Sequence, residues 1–143
     1  MAQYPGKTMP KPKEISYFKD GLPDPVLMDE GADEVAQRLQ KDDLKSSQLR
    51  RYYDDVITLR QRLDAQALKP GEARERAFDT LRADFKMLKA KAAYAFGRDK
   101  KTFPESLLQF FVDHVHSVKT ARDFDVFFQH FQAVVAFHKF YKP

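Results

Sequence analysis

The chain has 143 residues, and its 25 lysines and arginines outnumber its 21 aspartates and glutamates to give a formal charge of +4. This length is sufficient for one domain with its own hydrophobic core. The absence of cysteine excludes disulfide bridges and thiolate metal sites. No window approaches the ~18 continuous apolar residues of a membrane span, and no apolar signal segment follows Met1. We therefore expect a soluble cytoplasmic protein without membrane contact, and its mildly basic charge favours a polyanionic partner.

The first 28 residues differ in composition from the rest of the chain, because they contain five prolines, four lysines and few aliphatic side chains. Such a composition predicts an extended or coiled basic arm rather than a packed helix. A free arm of this kind would be disordered, so order in it would require contacts with the domain itself or with a neighbouring molecule. We divide the chain into this arm, at 1–28, and a helical domain at 29–143.

Two amphipathic helices are predicted at the start of the helical domain. The first covers residues 29–40, with acids in its first turn, where they face the positive end of the helix dipole, and a narrow apolar stripe. The second begins at Ser46 or Ser47, either of which suits an N-terminal cap, and continues through Leu63. Its apolar face is predicted at Leu49, Tyr52, Tyr53, Val56, Leu59 and Leu63.

The third predicted helix is the longest and covers about residues 70–96. Pro70 suits its first turn, and Gly97 stands where a left-handed C-terminal cap would end it. A fourth helix is predicted to begin at Thr102-Phe103-Pro104-Glu105, the pattern of a capping box with an early proline. Its buried residues are predicted to be Leu107, Leu108, Phe111, Val115 and Val118.

The last predicted helix, from Thr120 to Tyr141, contains an aromatic stripe that we expect to form the centre of the core. Thr120 is a good N-cap, and Asp123 is placed to complete a capping box. Apolar side chains recur with a helical period at Phe124, Phe127, Phe128, Phe131, Val134, Val135, Phe137, Phe140 and Tyr141. Strand-like alternation and hairpin signals are not evident. The predicted fold is therefore all-α, a single-domain bundle of about five helices.

The four histidines do not form the pattern of a metal or catalytic site. His114 and His116 are two residues apart on a helix, so their side chains point roughly 160° away from each other. His130 and His138 lie on the aromatic last helix, where we expect hydrogen-bonded structural histidines. There is also no glycine-rich phosphate loop. We expect no catalytic residue, no metal and no cofactor, and a small histidine-dependent hydrolase is the least favoured hypothesis.

The basic residues are the more informative candidates. Between Lys86 and Lys101 there are six cations and a single acid, Asp99, an imbalance that a solvated helix face does not require. A second basic group, with Asp54 and Asp55 among it, comprises Lys45, Arg50, Arg51, Arg60 and Arg62. Pairing of Arg50 with Asp54 and of Arg51 with Asp55 could account for part of it, at only ~0.2–0.5 kcal/mol per pair. Charge alone leaves both phosphate binding and plain solubility open.

Three short segments carry a resemblance to a known family: SSQLRR at 46–51, LKAKAAYAFGR at 88–98 and FHKFY at 137–141. In this order and at about these distances they resemble the small subunit of type III-A (Csm) CRISPR effector complexes. The resemblance covers about 44–141 and leaves out the proline-rich arm. It departs from the family at the end, where Lys142-Pro143 stands in place of the glycines that often follow the tyrosine.

The resemblance implies a non-catalytic subunit of a ribonucleoprotein. Several copies of the chain would stack into the shorter filament along the duplex of guide RNA and target RNA. The other partners would be the subunits of the longer backbone filament and the large polymerase-like subunit. A helical adaptor that binds acidic proteins without touching RNA is the alternative hypothesis.

The resemblance also implies which residues contact the RNA backbone. They are Lys45, Ser47, Gln48, Arg50, Arg51, Lys89, Lys91 and Arg98, followed by Lys100, Lys101 and Lys139. Lys89 and Lys91 diverge on a helix, so only one of the two is expected to face RNA. Tyr94 and Gly97 match the family motif as well, and we expect them to serve packing and helix capping.

Overall fold

The computed structural model describes residues 8–142, and it shows the predicted all-α bundle. Five α-helices are present in this part of the chain: α1 Glu30–Lys41, α2 Ser46–Gln66, α3 Glu72–Arg98, α4 Glu105–Ser117 and α5 Ala121–Tyr141. No helix within residues 8–142 is both long enough and apolar enough to cross a membrane.

A small β-hairpin and a 3₁₀ turn precede the first α-helix. Strands β1 (Phe18–Lys19) and β2 (Leu22–Pro23) pair antiparallel, and a single 3₁₀ turn follows at Pro25–Met28. The two residues between the strands, Asp20 and Gly21, have φ of 55° and 79°. An Asp-Gly pair with positive φ is a typical two-residue hairpin turn. The sequence therefore did carry one hairpin signal, which the prediction missed.

The aromatic helix α5 lies at the centre of the core, as predicted. It packs against α1, α2 and α3, and its buried phenylalanines also contact rings of α4. Ring centroids lie 5.5 Å apart for Phe124 and Phe78, and 5.1 Å apart for Phe131 and Phe110. Burial of each such ring stabilises the fold by roughly 1.5–3 kcal/mol. The prediction was wrong at the end of the stripe, because Phe140 is 77% exposed.

Two helix ends differ from the prediction around α3. Pro70 precedes the helix instead of lying in its first turn, because Gly71, with φ of 139°, is the N-cap residue. Gly97 is not a left-handed cap, since α3 continues through Arg98. The Asp99 carboxylate accepts hydrogen bonds from the backbone N–H groups of Lys101 and Thr102, at 3.1 and 3.3 Å. This side chain stabilises the turn after α3, so a glycine with positive φ is not needed there.

The start of α4 also differs from the predicted capping box, while that of α5 agrees. Pro104 is the N-cap residue of α4, and Thr102 instead bonds to Asp99 and Gln48 in the preceding loop. At α5 the predicted box is confirmed: the Thr120 hydroxyl accepts from the Asp123 N–H, and the Asp123 carboxylate accepts from the Thr120 N–H.

The described part of the predicted arm, residues 8–28, packs on the bundle, with hydrogen bonds to α4 and with its final 3₁₀ turn against α1 and α5. The Lys13 N–H donates to Asp113 Oδ1 at 2.8 Å, and the Ile15 N–H donates to Ser117 Oγ at 2.9 Å. The Tyr17 side chain is 3% exposed and belongs to the core. The bundle itself thus holds this segment in place. Residues 1–7 of the predicted arm lie outside the described residues, and the division of the chain at residue 28 stays a prediction.

A buried arginine joins three helices and was not foreseen. Arg74 of α3 is 3% exposed, and its guanidinium donates to Asp64 of α2 at 2.8 Å and to Asp125 of α5 at 2.6 and 3.0 Å. It also donates to the carbonyl oxygen of Ala67 at 2.7 Å. Because its acidic partners are far from it in the sequence, no local pattern predicted this site.

Candidate nucleic-acid interface

The main surface feature is an open groove of about 460 Å³ between the first half of α2 and the second half of α3, which we call the α2–α3 groove. Its α2 side is lined by Gln48, Arg51, Tyr52 and Asp55. Its α3 side is lined by Met87, Ala90, Lys91, Tyr94, Ala95 and Arg98, and Phe103 closes one end. Four residues of the implied RNA-binding set therefore meet here: Gln48, Arg51, Lys91 and Arg98.

Helix geometry explains why these α3 residues share one edge. Met87, Lys91, Tyr94 and Arg98 are spaced by four, three and four residues, which places them in one row beside the buried row of Leu88 and Ala92.

Two contacts tie the walls of the groove together. Lys91 Nζ lies 3.3 Å from Asp55 Oδ2, and the Tyr52 hydroxyl donates to the Lys91 carbonyl oxygen at 3.4 Å.

The groove carries more positive charge than its acidic side chains neutralise. Three cations line it, Arg51, Lys91 and Arg98, whereas Asp55 is the only acid among its lining residues. Asp55 pairs with Lys91, and within residues 8–142 neither arginine takes part in an ion pair. The Arg98 guanidinium instead lies 5.5 Å from the centroid of the Tyr94 ring. Two guanidinium groups thus face the groove with hydrogen-bond donors that a phosphate could use in pairs.

The ion pairs proposed as a structural explanation of Arg50 and Arg51 do not form. In the described part of the chain neither arginine pairs with an acid, and Asp55 reaches across to Lys91 instead. Arg50 is also one residue, or ~100°, around the helix from Arg51, and it does not line the groove. The N-cap residue of α2 is Lys45, so the prediction of a cap at Ser46 or Ser47 was wrong. Lys45 and Ser47 are exposed near the start of the helix.

Gln48 has an intramolecular role that limits its use as an RNA contact. Its Oε1 accepts from the backbone N–H of Lys45 at 3.1 Å, which caps α2. Its Nε2 donates to the carbonyl oxygen of Thr102 at 2.8 Å and so connects α2 to the loop between α3 and α4. One amide hydrogen is left for a further partner.

The other implied contacts lie away from the groove. Lys89, Ala93 and Phe96 form a row on the opposite edge of α3, spaced by four and three residues, and Lys100 follows in the turn after the helix. Lys100 Nζ lies 5.8 Å from the Phe96 ring, in a separate pocket lined also by Thr8, Met9 and Pro10. Lys101 is exposed in the loop after α3, and Lys139 is exposed on α5. The expected divergence of Lys89 and Lys91 is confirmed.

Asp99, the single acid in the basic stretch around the end of α3, is engaged by the loop backbone. The hydrogen bond from Thr102 is the main cause that holds the pKa of its carboxyl below the ordinary value. Asp99 takes part in no ion pair within residues 8–142.

Tyr94 is a groove residue that the sequence interpretation misjudged. It was expected to pack inside the bundle, but its side chain is 69% exposed at the edge of the groove. Met87 is exposed beside it in the same row. The signal was present in the sequence, since Tyr94 falls in register with Lys91 and Arg98 and out of register with the buried Leu88 and Ala92.

His130 and His138 form structural hydrogen bonds, as expected. His130 Nδ1–H donates to the Leu27 carbonyl at 2.6 Å, and His138 Nε2–H donates to the Leu44 carbonyl at 2.9 Å. His114 Nδ1 accepts from the Tyr17 hydroxyl at 2.6 Å. Burial is the first cause that lowers the pKa of all three imidazoles, so they are neutral in the fold. Within residues 8–142 no three His, Asp or Glu side chains are grouped so that they could hold a metal ion.

Comparison with known proteins identifies the family. The family model described as Csm2 Type III-A matches residues 23–143, which include all five helices and both walls of the groove. Neither the search of curated proteins nor the search of solved structures gave a significant match. Because the family model covers most of the sequence, the chain belongs to the type III-A Csm2 family, the small subunit of the Csm CRISPR complex.

Proposed function

We propose that this small subunit contacts the RNA backbone through the α2–α3 groove and contributes no catalytic residue. The observation that supports this role is the convergence of Arg51, Lys91 and Arg98 on one groove that contains a single acid. Recognition of phosphates needs such cations along a surface, and it transmits no sequence information. Guide pairing would then supply the sequence specificity, which suits a subunit with no base-reading motif.

In the assembled particle, copies of the chain would stack into the minor filament beside the guide–target duplex. The subunits of the backbone filament and the large polymerase-like subunit would be its other protein partners, in the cytoplasm. Family membership supports these partners.

The remaining basic residues of the implied set would contribute unequally to RNA binding. Lys45, Ser47 and Arg50 lie beside Gln48 and Arg51 at the start of α2, and Lys101 follows Arg98, so one strand that leaves the groove past Phe103 could pass them. Lys89 lies on the opposite edge of α3 and Lys100 lies beside Phe96 on that side, so the strand held in the groove would not contact them. Of the diverging lysines, we therefore assign the RNA contact to Lys91.

The proposal is tested with Arg51→Ala combined with Arg98→Ala in the full chain. Binding of a labelled single-stranded RNA is measured by fluorescence anisotropy between about 50 and 200 mM salt. Loss of two phosphate contacts should weaken binding and reduce the slope of log K against log salt by ~1.4. The matched control removes two exposed arginines that pair locally with acids, Arg38 and Arg76, and has the same net charge. Equal binding by both double variants would contradict the proposal.

The adaptor hypothesis predicts a different result in the same experiment. Association with the other Csm subunits would survive RNase treatment, and both double variants would bind RNA like the unmodified chain. That combination of results would show that the groove binds protein rather than RNA.

A further inference from the structure

We propose that Tyr94 provides a stacking surface for one unpaired RNA base, so that the α2–α3 groove selects single-stranded over double-stranded RNA. This inference rests on the proposed RNA-binding function and adds the class of RNA that the groove takes. It starts from the position of Tyr94, whose ring is 69% exposed in a row with Lys91 and Arg98. A ring of this exposure buries little of its surface against the core, so most of it is available to a ligand.

The surroundings of the Tyr94 ring suit a nucleotide. Arg98 lies over the ring at 5.5 Å, which places a cation next to the aromatic surface. A stacked base and its phosphate need this combination of an aromatic face and a nearby positive charge. Within residues 8–142 no group forms a hydrogen bond with the Tyr94 hydroxyl, and the Arg98 guanidinium is the group that the structure places over the ring.

The groove beside the ring has the size and polarity that this ligand requires. Its volume of about 460 Å³ lies within the range of small-molecule sites. Met87, Ala90 and Ala95 give it an apolar lining, whereas Arg51 and Lys91 provide charge. An apolar lining with cations around it fits a base with flanking phosphates better than it fits a run of phosphates alone.

A duplex could not use the Tyr94 ring in this way. In an RNA helix the base faces are covered by stacking, and only an unstacked base can be placed against a protein aromatic ring. Taking a base out of the stack costs a few kcal/mol, which a single exposed ring would have to offset. The cations of the groove would bind either form of RNA, so the preference for a single strand would depend on Tyr94.

A protein side chain is the other possible occupant of the groove. Exposed tyrosine and methionine side chains are also common in protein interfaces. The excess of cations over the single acid Asp55 disfavours a neutral protein, which would leave two guanidinium groups without counter-charges. An acidic protein would supply the counter-charges but not the base that a ring beside cations suits. We therefore assign the groove to RNA and treat protein binding as an outcome of the test.

The test compares Tyr94→Leu and Tyr94→Phe in the full chain, with affinities for one RNA measured as a single strand and as a duplex. Stacking on one aromatic ring corresponds to roughly 5- to 160-fold in affinity. We expect Tyr94→Leu to lose that factor for the single strand and to bind the duplex unchanged, while Tyr94→Phe binds both like the unmodified chain. Phe140→Leu, which removes another exposed aromatic ring, is the control and should change neither affinity.

Any other result contradicts the inference. The results also distinguish failure of the inference from failure of the proposed function. Unchanged single-strand binding by Tyr94→Leu would remove the stacking role and leave the phosphate contacts of Arg51 and Arg98 standing. An equal loss for single strand and duplex would show that Tyr94 acts only by shaping the groove. Loss of association with the other Csm subunits, with RNA affinity intact, would assign the groove to protein. Failure of the unmodified chain to bind either RNA would contradict the proposed function itself.

Discussion

Arg74 shows how a single buried side chain can determine the packing of three helices. Its guanidinium must be neutralised because a lone charge inside a protein is costly, and Asp64 and Asp125 provide the two carboxylates. The geometry is strong, since Asp125 receives two hydrogen bonds from the same planar group. Both carboxylates are about one third exposed, which moderates the energy of the network.

Replacement of Arg74 by methionine should lower the free energy of unfolding by roughly 2–4 kcal/mol. The substitution keeps much of the side-chain volume but removes the buried cation and leaves Arg60, at 3.4 Å from Asp64 and 4.0 Å from Asp125, as the cation near the two carboxylates. Urea denaturation followed by circular dichroism measures the change. Arg76→Met is the control, because that side chain is exposed and pairs only with Glu72, so its effect should stay within about 0.5 kcal/mol. Equal midpoints for the two variants would contradict this account of Arg74.

Residue-level predictions succeeded where neighbours in the sequence determine the environment. The Thr120–Asp123 capping box needs only residues three apart, and the sequence identified it. Arg74 depends on partners that the fold brings from other helices, so no local pattern could reveal it. Tyr94 was misjudged for another reason: aromatic residues are usually buried, and that tendency outweighed its register on the helix.

At the scale of elements, the segment before α1 is held against α4 by a small number of specific contacts. The central one is the 2.6 Å hydrogen bond from the Tyr17 hydroxyl to His114 Nδ1. Burial raises the pKa of Tyr17, so the hydroxyl keeps its proton and remains a donor. The backbone N–H groups of Lys13 and Ile15 add two bonds to α4 side chains.

Tyr17→Phe should loosen this segment without unfolding the bundle. The change removes one hydroxyl and leaves His114 Nδ1 buried without a donor, at a cost of about 1–3 kcal/mol. Amide hydrogen exchange should then accelerate more at Lys13 and Ile15 than in α5. Tyr94→Phe is the matched control, since its hydroxyl is solvent-exposed and its loss should leave exchange unchanged. Uniform acceleration along the whole chain would contradict a local role for the Tyr17 bond.

The five helices could be predicted from periodicity, but the surfaces between them could not. Lys91 and Arg98 matched the family motif, and Arg51 belonged to a second motif about 40 residues earlier. Only the packing of α2 against α3 showed that these three face one groove, whereas Lys89 and Lys100 face the other side. Helical spacing predicts the edge of a helix on which a residue lies, but the packing of the neighbouring helix determines which residues that edge faces.

For the whole molecule, three buried histidines make stability depend on pH. Burial is the first cause that lowers the pKa of His114, of His130 and of His138 below the ordinary value of 6.5. The unfolded chain therefore binds more protons than the folded chain as the pH falls through 6.5. The histidines thus contribute stability that is complete above that pH and is lost below it. Acids whose pKa is lowered, such as Glu14, change the stability only below their ordinary pKa of 4.5.

The free energy of unfolding should accordingly decrease as the pH falls from 7 to 5. Each histidine that is neutral only in the fold adds a slope of up to about 1.4 kcal/mol per pH unit. Urea denaturation at several pH values measures this slope. His130→Gln should make it shallower, because it removes one of the buried imidazoles. A flat profile for the unmodified chain between pH 7 and 5 would contradict the neutral state of the buried imidazoles.

The most direct measurement of the central claim is a cryo-electron-microscopy structure of the complete type III-A complex with its target RNA bound. We predict that the Arg51 and Arg98 guanidinium groups will lie within hydrogen-bond distance, about 3 Å, of RNA phosphate oxygens in the α2–α3 groove. A groove that faces solvent or another protein subunit, with the RNA on a different side of the bundle, would contradict the account.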